Sequence, residues 1–315
     1  MKERKLVYIK KIGKKIKDRI YIDLNKNYHN TVFLAGTGRG GTTWVSNIIN
    51  YNNEYRYMFE PFHSGKVDSC RNFRYRQYLR PDDRDSKFIE SAKLILSGKV
   101  KDPWIDSKNK KFISSKRLIK DIRASHFLKW IYANFPGIPI ILLLRHPCAV
   151  VHSKLKLNWE SHLGEFLSQD ELLEDFLNPF KDAIVDTNSM FEKLIFQWCI
   201  EYYVPLKQFN KGEIHLAFYE GFCENPRDEI ERLFSFLGKN FDDKVLLNIK
   251  TPSALSRKFS AIVTGRNLID SWRGNITKEQ IRRAVEILAM FGLDRIYTED
   301  SMPDIENTYK LLNNN

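Results

Sequence analysis

The chain has 315 residues, 43% of them hydrophobic and 29% charged, a balance that suits a globular protein with one large α/β core or two modest ones. No apolar stretch is long enough to span a bilayer or to act as a signal-peptide core, which excludes a membrane-embedded chain and points to the cytoplasm. The formal net charge of +12 calls for anionic partners, and a nucleotide, a polyanionic glycan, a nucleic acid or a membrane surface would all answer it.

Four scattered cysteines, Cys70, Cys148, Cys199 and Cys223, form no CxxC pair, which argues against a zinc knuckle and for a reducing compartment. Residues 1–30 form a basic leading segment. Within it Ile9, Ile12, Ile16 and Ile20 recur at helical spacing, as in a helix packed on the body or one lying on an anionic membrane.

Thr31–Asn50 reads TVFLAGTGRGGTTWVSNIIN. Val32–Ala35 is an apolar run of strand length, and Gly36, Gly38, Gly40 and Gly41 follow it. Thr42 and Thr43 then lead into Trp44, Val45, Ile48 and Ile49, spaced as a helix face. Strand, glycine turn and helix start together make a phosphate cradle, because glycines admit close approach and the helix amides point at the anion. Gly36-x-Gly38-x-x-Gly41 fits a dinucleotide fingerprint, with Glu60 near the place of its ribose-binding acid. Gly36–Thr43 also fits Walker A spacing, but Thr42 stands where a nucleotide kinase needs lysine. The loop's one cation is Arg39, and an ordinary tight turn is the plain alternative.

Arg56–Phe59 reads as a second strand, closed by Glu60-Pro61-Phe62-His63, so Glu60 is expected at the strand's C-terminal end, beside the glycine loop. Residues 65–116 are expected to be an insertion shaping an acceptor pocket. In it Arg71–Tyr78 interleaves cations with aromatics, as a sugar-stacking surface or a cationic helix face would, and Phe88–Leu96 reads as a short helix. Arg117–Ile122 is the third strand and Ala124–Phe135 the helix after it. Ile138–Leu144, apolar on both faces, belongs in the middle of a parallel sheet. It ends in Arg145-His146-Pro147, and Ser153 lies about two turns into the next helix. Leu155–Asp186 is expected to be a lid or a solvated face, Asn188–Phe209 a long core helix and Glu213–Tyr219 a fifth strand. Thr277 caps a helix over Lys278–Met290 that Gly292 terminates, and residues 301–315 form a loosely attached tail.

GTGRGGTTW resembles the 5′-phosphosulfate loop of sulfotransferases that use 3′-phosphoadenosine 5′-phosphosulfate (PAPS) and release 3′,5′-ADP (PAP). LLLRHPCAVVHS is similar to their 3′-phosphate motif, and FYEGFCENPRDEIERLFSFLG and SWRGNITKEQIRRAVEIL resemble later segments of the same family. The resemblance implies a P-loop-like three-layer α/β fold with a central parallel sheet, as one domain over residues 31–300. It implies that Gly38, Arg39, Gly40, Gly41, Thr42 and Thr43 hold the phosphosulfate, with Arg39 near the bridging oxygen. Arg145 and Ser153 would bind the 3′-phosphate, joined by Arg266, and Trp44 and Tyr219 would touch the adenine.

MFEPFH looks like the Glu-Pro segment of the carbohydrate branch, which makes Glu60 the general base and His63 the second candidate. Cytosolic small-molecule sulfotransferases place a histidine after a Lys-Thr pair. Here Lys120-Asp121-Ile122-Arg123 has none, and His126 falls inside the next helix. The implied reaction is sulfuryl transfer, without a required metal, to a hydroxyl-bearing small molecule, lipid or glycan. The anionic partner is then a nucleotide and not nucleic acid, and the oligomeric state is left open. A P-loop nucleotide kinase and a polyanion-binding module are the alternatives.

Overall fold

The computed structural model describes residues 21–249 and 267–313. The basic segment 1–20 and Arg266 lie outside the described residues. Five strands, β1 (Thr31–Gly36), β2 (Tyr55–Phe59), β3 (Lys116–Asp121), β4 (Ile140–Leu144) and β5 (His215–Phe218), form one parallel sheet in the order β2-β3-β1-β4-β5. Each overlaps a strand expected from the sequence. The central pair is apolar on both faces, with Phe33 opposite Ile140 and Leu34 opposite Ile141, because both faces are covered.

Alternate residues of β1 enter different cores. Val32 and Leu34 join Trp44, Val45, Ile48 and Ile49 of α1 (Thr42–Ile49), whereas Phe33 and Ala35 join residues of α3 (Leu128–Asn134), α4 (Pro147–Leu155), α5 (Met190–Gln208) and α8 (Lys278–Met290). With α6 (Tyr219–Glu224) and α7 (Pro226–Phe236) beside α1, this is a three-layer α/β fold. The α8 N-terminus is a capping box in which Thr277 accepts from the Gln280 amide and Gln280 reciprocates. From β1 the chain goes to one side, to β2 and β3, and then crosses to β4 and β5 on the other. The strand order therefore reverses around β1, which opens a crevice at the strands' C-terminal ends. Among the described residues no helix is long and apolar enough to cross a membrane.

Three expectations are corrected. Arg71–Tyr78 is a run of turns and not a helix, and Phe73, Arg76 and Tyr78 point inward as part of the core, alongside α2 (Ser86–Leu96). Within Leu155–Asp186, Leu163, Phe166, Leu172 and Leu177 are buried, and the acids Glu174 and Asp175 pair with Arg80, so this segment is packed. The tail is anchored: Thr308 and Leu312 are buried, and the Asn313 amide donates to Phe209 O at 3.0 Å.

The opposite, N-terminal edge of the sheet is closed by ions. Arg56 and Arg117 are side by side in register on β2 and β3, and both are buried. Asp106 takes Arg56 through Nε and Nη2, both at 2.8 Å, while Asp23 takes Arg117 Nη1 at 2.9 and 3.0 Å. Removing Asp106 takes both short carboxylate bonds from the buried Arg56 guanidinium and leaves Asp23, 3.5 Å from Nη1, as its remaining counter-charge among the described residues. Asp106→Ala is expected to lose about 3–5 kcal/mol of unfolding free energy in a urea titration. Glu279→Ala, which breaks an exposed pair with Arg282, is expected to leave the midpoint in place.

Candidate active site

The turn leaving β1 is shaped by what surrounds it. A Cβ at Gly41 would lie 2.5 Å from the Tyr219 ring, and one at Gly38 would lie 2.6 Å from the Trp159 ring. Gly41 has φ +98° and is the N-cap of α1, with no capping side chain. Arg39 has φ 70°, a left-handed conformation unusual for a residue with a side chain, and the Gly40 amide closes the turn onto Thr37 O at 3.1 Å. The first amides of α1, at Thr42 and Thr43, have no carbonyl within their own helix to donate to. Amides and helix dipole there favour an anion.

Arg145, at the end of β4, reaches the same place from the neighbouring strand. Its guanidinium sits 3.8 Å over the Tyr219 ring centroid, and its Nη1 donates to Arg39 O at 3.3 Å. Its Nε is buried without a hydrogen-bond partner among the described residues. Arg39 Nε donates to Ser153 Oγ of α4 at 3.0 Å. Residues more than a hundred positions apart thus meet at one point. Tyr219 also packs against Trp44, ring centroids 5.1 Å apart, and Trp44 Nε1 donates to Ile249 O at 3.2 Å. The Arg145 turn is braced behind: Trp198 Nε1 donates to Arg145 O at 3.1 Å, the His146 amide donates to Glu220 at 2.9 Å, and the His146 ring stacks on Trp272.

Glu60 follows β2 in a left-handed conformation, φ 46°, with its amide on Lys120 O at 2.7 Å. Its two carboxylate oxygens pair with Lys120 and Arg123. Burial pushes the carboxyl up, but the two cations outweigh burial and hold it below the usual carboxylate range. Asp121 fixes the turn by accepting the amides of Phe62 and Arg123 at 2.9 and 2.8 Å. His63 lies between Trp104 and Tyr75, 5.6 and 5.9 Å away, and its buried Nδ1 has no hydrogen-bond partner among the described residues. Burial and Arg123 push its pKa down to about 4. β3 stands between Glu60 and the glycine turn, and Ile122, just past β3, packs beside Gly38. His126 is fully buried in a turn before α3 against Phe166, with its pKa lowered to about 3 by burial.

The sequence model of the sulfotransferase domain family matches residues 29–289, nearly all of the described fold. The chain belongs to the sulfotransferase domain family. This sulfotransferase is similar to solved structures of low identity. The sulfotransferase domain from the curacin biosynthetic pathway is 14% identical, with 85% of this chain and 98% of that chain covered and a TM-score of 0.46. A mouse sulfotransferase complexed with PAP is 15% identical, with 92% and 88% covered and a TM-score of 0.41. A sulfotransferase from Mycobacterium avium is 12% identical, with 87% and 78% covered and a TM-score of 0.46. No curated protein matches the chain.

In this sulfotransferase the sequence pointed to Arg39, Arg145, Ser153, Trp44 and Tyr219, which the fold brings together, and to Glu60 and His63, which lie along the same sheet edge. It did not point to Lys120 and Arg123 as partners of Glu60. The available signal was a lysine inside a strand otherwise buried on both faces, a position that requires a counter-charge.

Gly41 and Gly212 separate clash from conformation, because both are left-handed (φ +98° and +92°) but only Gly41 faces a ring, with nothing within 4 Å of a Cβ at Gly212. Gly41→Ala is expected to destabilise the sulfotransferase by roughly 1–3 kcal/mol more than Gly212→Ala in chemical unfolding. Equal losses would show that Tyr219 moves aside without cost.

Proposed function

We propose that this sulfotransferase moves the sulfuryl group of PAPS to a hydroxyl of a carbohydrate, lipid or other alcohol. The observation that carries this reading is the convergence of Arg39, Arg145 and Ser153 beside a glycine turn and a helix N-terminus. The donor set fits a phosphorylated nucleotide: Arg145 Nε has no partner among the described residues, beside a turn that passes so close to Tyr219 and Trp159 that only glycine fits. PAPS, when bound, supplies an activated sulfuryl group on the bridging oxygen of its 5′-phosphate.

The amides of Gly38, Gly40, Gly41, Thr42 and Thr43 and the threonine hydroxyls hold the 5′ end. Arg145 and Ser153 take the 3′-phosphate, and Trp44 and Tyr219 touch the adenine. Arg39 stabilises the charge that gathers on the bridging oxygen as the sulfuryl group departs. Glu60 takes the acceptor's proton as the new O–S bond forms. Lys120 and Arg123 keep its carboxylate ionised and oriented, the state a general base requires. The aromatic faces of Tyr75, Trp104 and Trp159 along this edge suit a sugar ring or another alcohol with an apolar face.

Both candidate bases titrate low, Glu60 below its ordinary 4.5 and His63 at about 4. On either assignment the base is deprotonated at neutral pH and the rate falls only when the solution is acidified past these values, so substitution and not a pH profile separates the two. Glu60→Gln is expected to retain PAP binding and to lose about a hundredfold or more in kcat. If Glu60→Gln stays active while His63→Ala is dead, the base is the histidine.

Arg145→Ala is expected to weaken PAP by roughly 2–4 kcal/mol in calorimetry and to leave 5′-AMP nearly unchanged, since only PAP carries the 3′ charge. Arg39→Ala is expected to lower kcat by about a hundredfold with a smaller effect on PAP. The reading as a whole is tested by thermal shift with PAP against ATP and NAD. Stabilisation by ATP or NAD without stabilisation by PAP would overturn it.

A further inference from the structure

Behind the glycine turn runs a buried line of charged side chains that the proposed chemistry does not use. It starts at Thr37, whose three polar groups are all engaged. The Thr37 amide donates to Tyr202 Oη at 3.3 Å, its carbonyl accepts from the Gly40 amide at 3.1 Å, and its Oγ1 accepts from Lys154 Nζ at 3.0 Å. Tyr202 in turn donates to Leu143 O of β4 at 2.8 Å. Lys154 Nζ stands 4.0 Å from Glu201 Oε2. The other Glu201 oxygen receives Arg76 and, at 2.9 Å, Gln197 Nε2, while Gln197 Oε1 accepts the His162 amide at 3.0 Å. Arg76 lies under Tyr75 and Phe166, so the line ends in the segment that borders the acceptor side.

The side chains of Lys154, Glu201 and Arg76 are 1%, 1% and 3% exposed. Burial lowers the Lys154 ammonium to about 8, and it stays charged at neutral pH. Burying two cations on one carboxylate costs desolvation that apolar residues of the same volume would avoid, so stability alone gives no reason for the line. Its geometry does give one: it starts on Thr37, whose carbonyl closes the turn that contains Arg39.

We propose that Lys154 is a positioning residue, which through Thr37 sets the conformation of the glycine turn and hence the place of Arg39, with Glu201 and Arg76 tying that setting to the acceptor-side segment. The kinetic consequence rests on the function proposed above. The conformational one does not, and is measured without nucleotide.

The experiment is amide hydrogen exchange of the 36–45 region in the full, nucleotide-free chain, for Lys154→Met, Thr37→Val and the double variant. Each single substitution is expected to speed exchange there by about tenfold, with β3 unchanged, and the double to be no faster than either single, because both remove one contact. Unchanged exchange in the singles, multiplied effects in the double, or acceleration throughout the sheet would overturn the proposal. Should Lys154→Met fail to fold, Thr37→Ser against Thr37→Val decides: serine keeps the hydroxyl and is expected to exchange like wild type, and equal behaviour of the two overturns it. In turnover of PAPS the same variants are expected to lose about tenfold in kcat with the acceptor KM in place. Exchange coupling among the variants together with a wild-type protein that does not turn over PAPS would refute the reaction and leave the positioning role standing.

Discussion

The constraint on which the site depends is the close approach of the Gly36–Gly41 backbone to the atoms around it. Even at Gly36, inside β1, a Cβ would lie 2.8 Å from Leu143 O of the neighbouring strand. The turn is squeezed from beneath by β4, from one side by Tyr219 and from the other by Trp159. Such contact is possible only because β1 is central and its neighbours end at the same level. The sheet order β2-β3-β1-β4-β5 is therefore a prerequisite of the site. The squeeze also explains why Arg39 tolerates a left-handed backbone: its carbonyl and guanidinium are both held, by Arg145 and Ser153.

The sheet carries buried ions at both ends, and they differ in kind. At the N-terminal edge, Arg56 and Arg117 have their donors satisfied by Asp23, Asp106 and backbone carbonyls in a closed arrangement, so this end anchors the Gly98, Val100 and Asp106 stretch to the sheet. At the C-terminal edge, Glu60 meets two cations, and close by lies a His63 nitrogen with no partner among the described residues. An unsatisfied polar atom is expensive in a folded core and is found where another molecule completes it.

The strands were legible because their apolar runs match burial on two faces, and α8 because its cap is local to Thr277 and Gln280. The eight-residue interval from Arg145 to Ser153 was legible because a helix fixes it. The alternation in Arg71–Tyr78 misled, since cation-aromatic interleaving also suits a packed turn whose Arg76 is neutralised by Glu201, 125 positions away. The tail misled for the same reason. Its polar composition says nothing of the Phe209 carbonyl that receives Asn313. What stayed hidden was pairing across long sequence separations, which local pattern does not encode.

The bare N-cap of α1 has one more consequence. Glycine in place of serine or aspartate at an N-cap costs only a few tenths of a kcal/mol, yet it leaves the first amides of the helix uncapped by any side chain. An anion seated there finishes the helix. On the function proposed above that anion is the nucleotide, which then becomes a structural part of α1, so the protein's resistance to unfolding and to proteases would rise with nucleotide concentration by mass action. In a cell, the lifetime of this chain would then follow the supply of the anion that seats there.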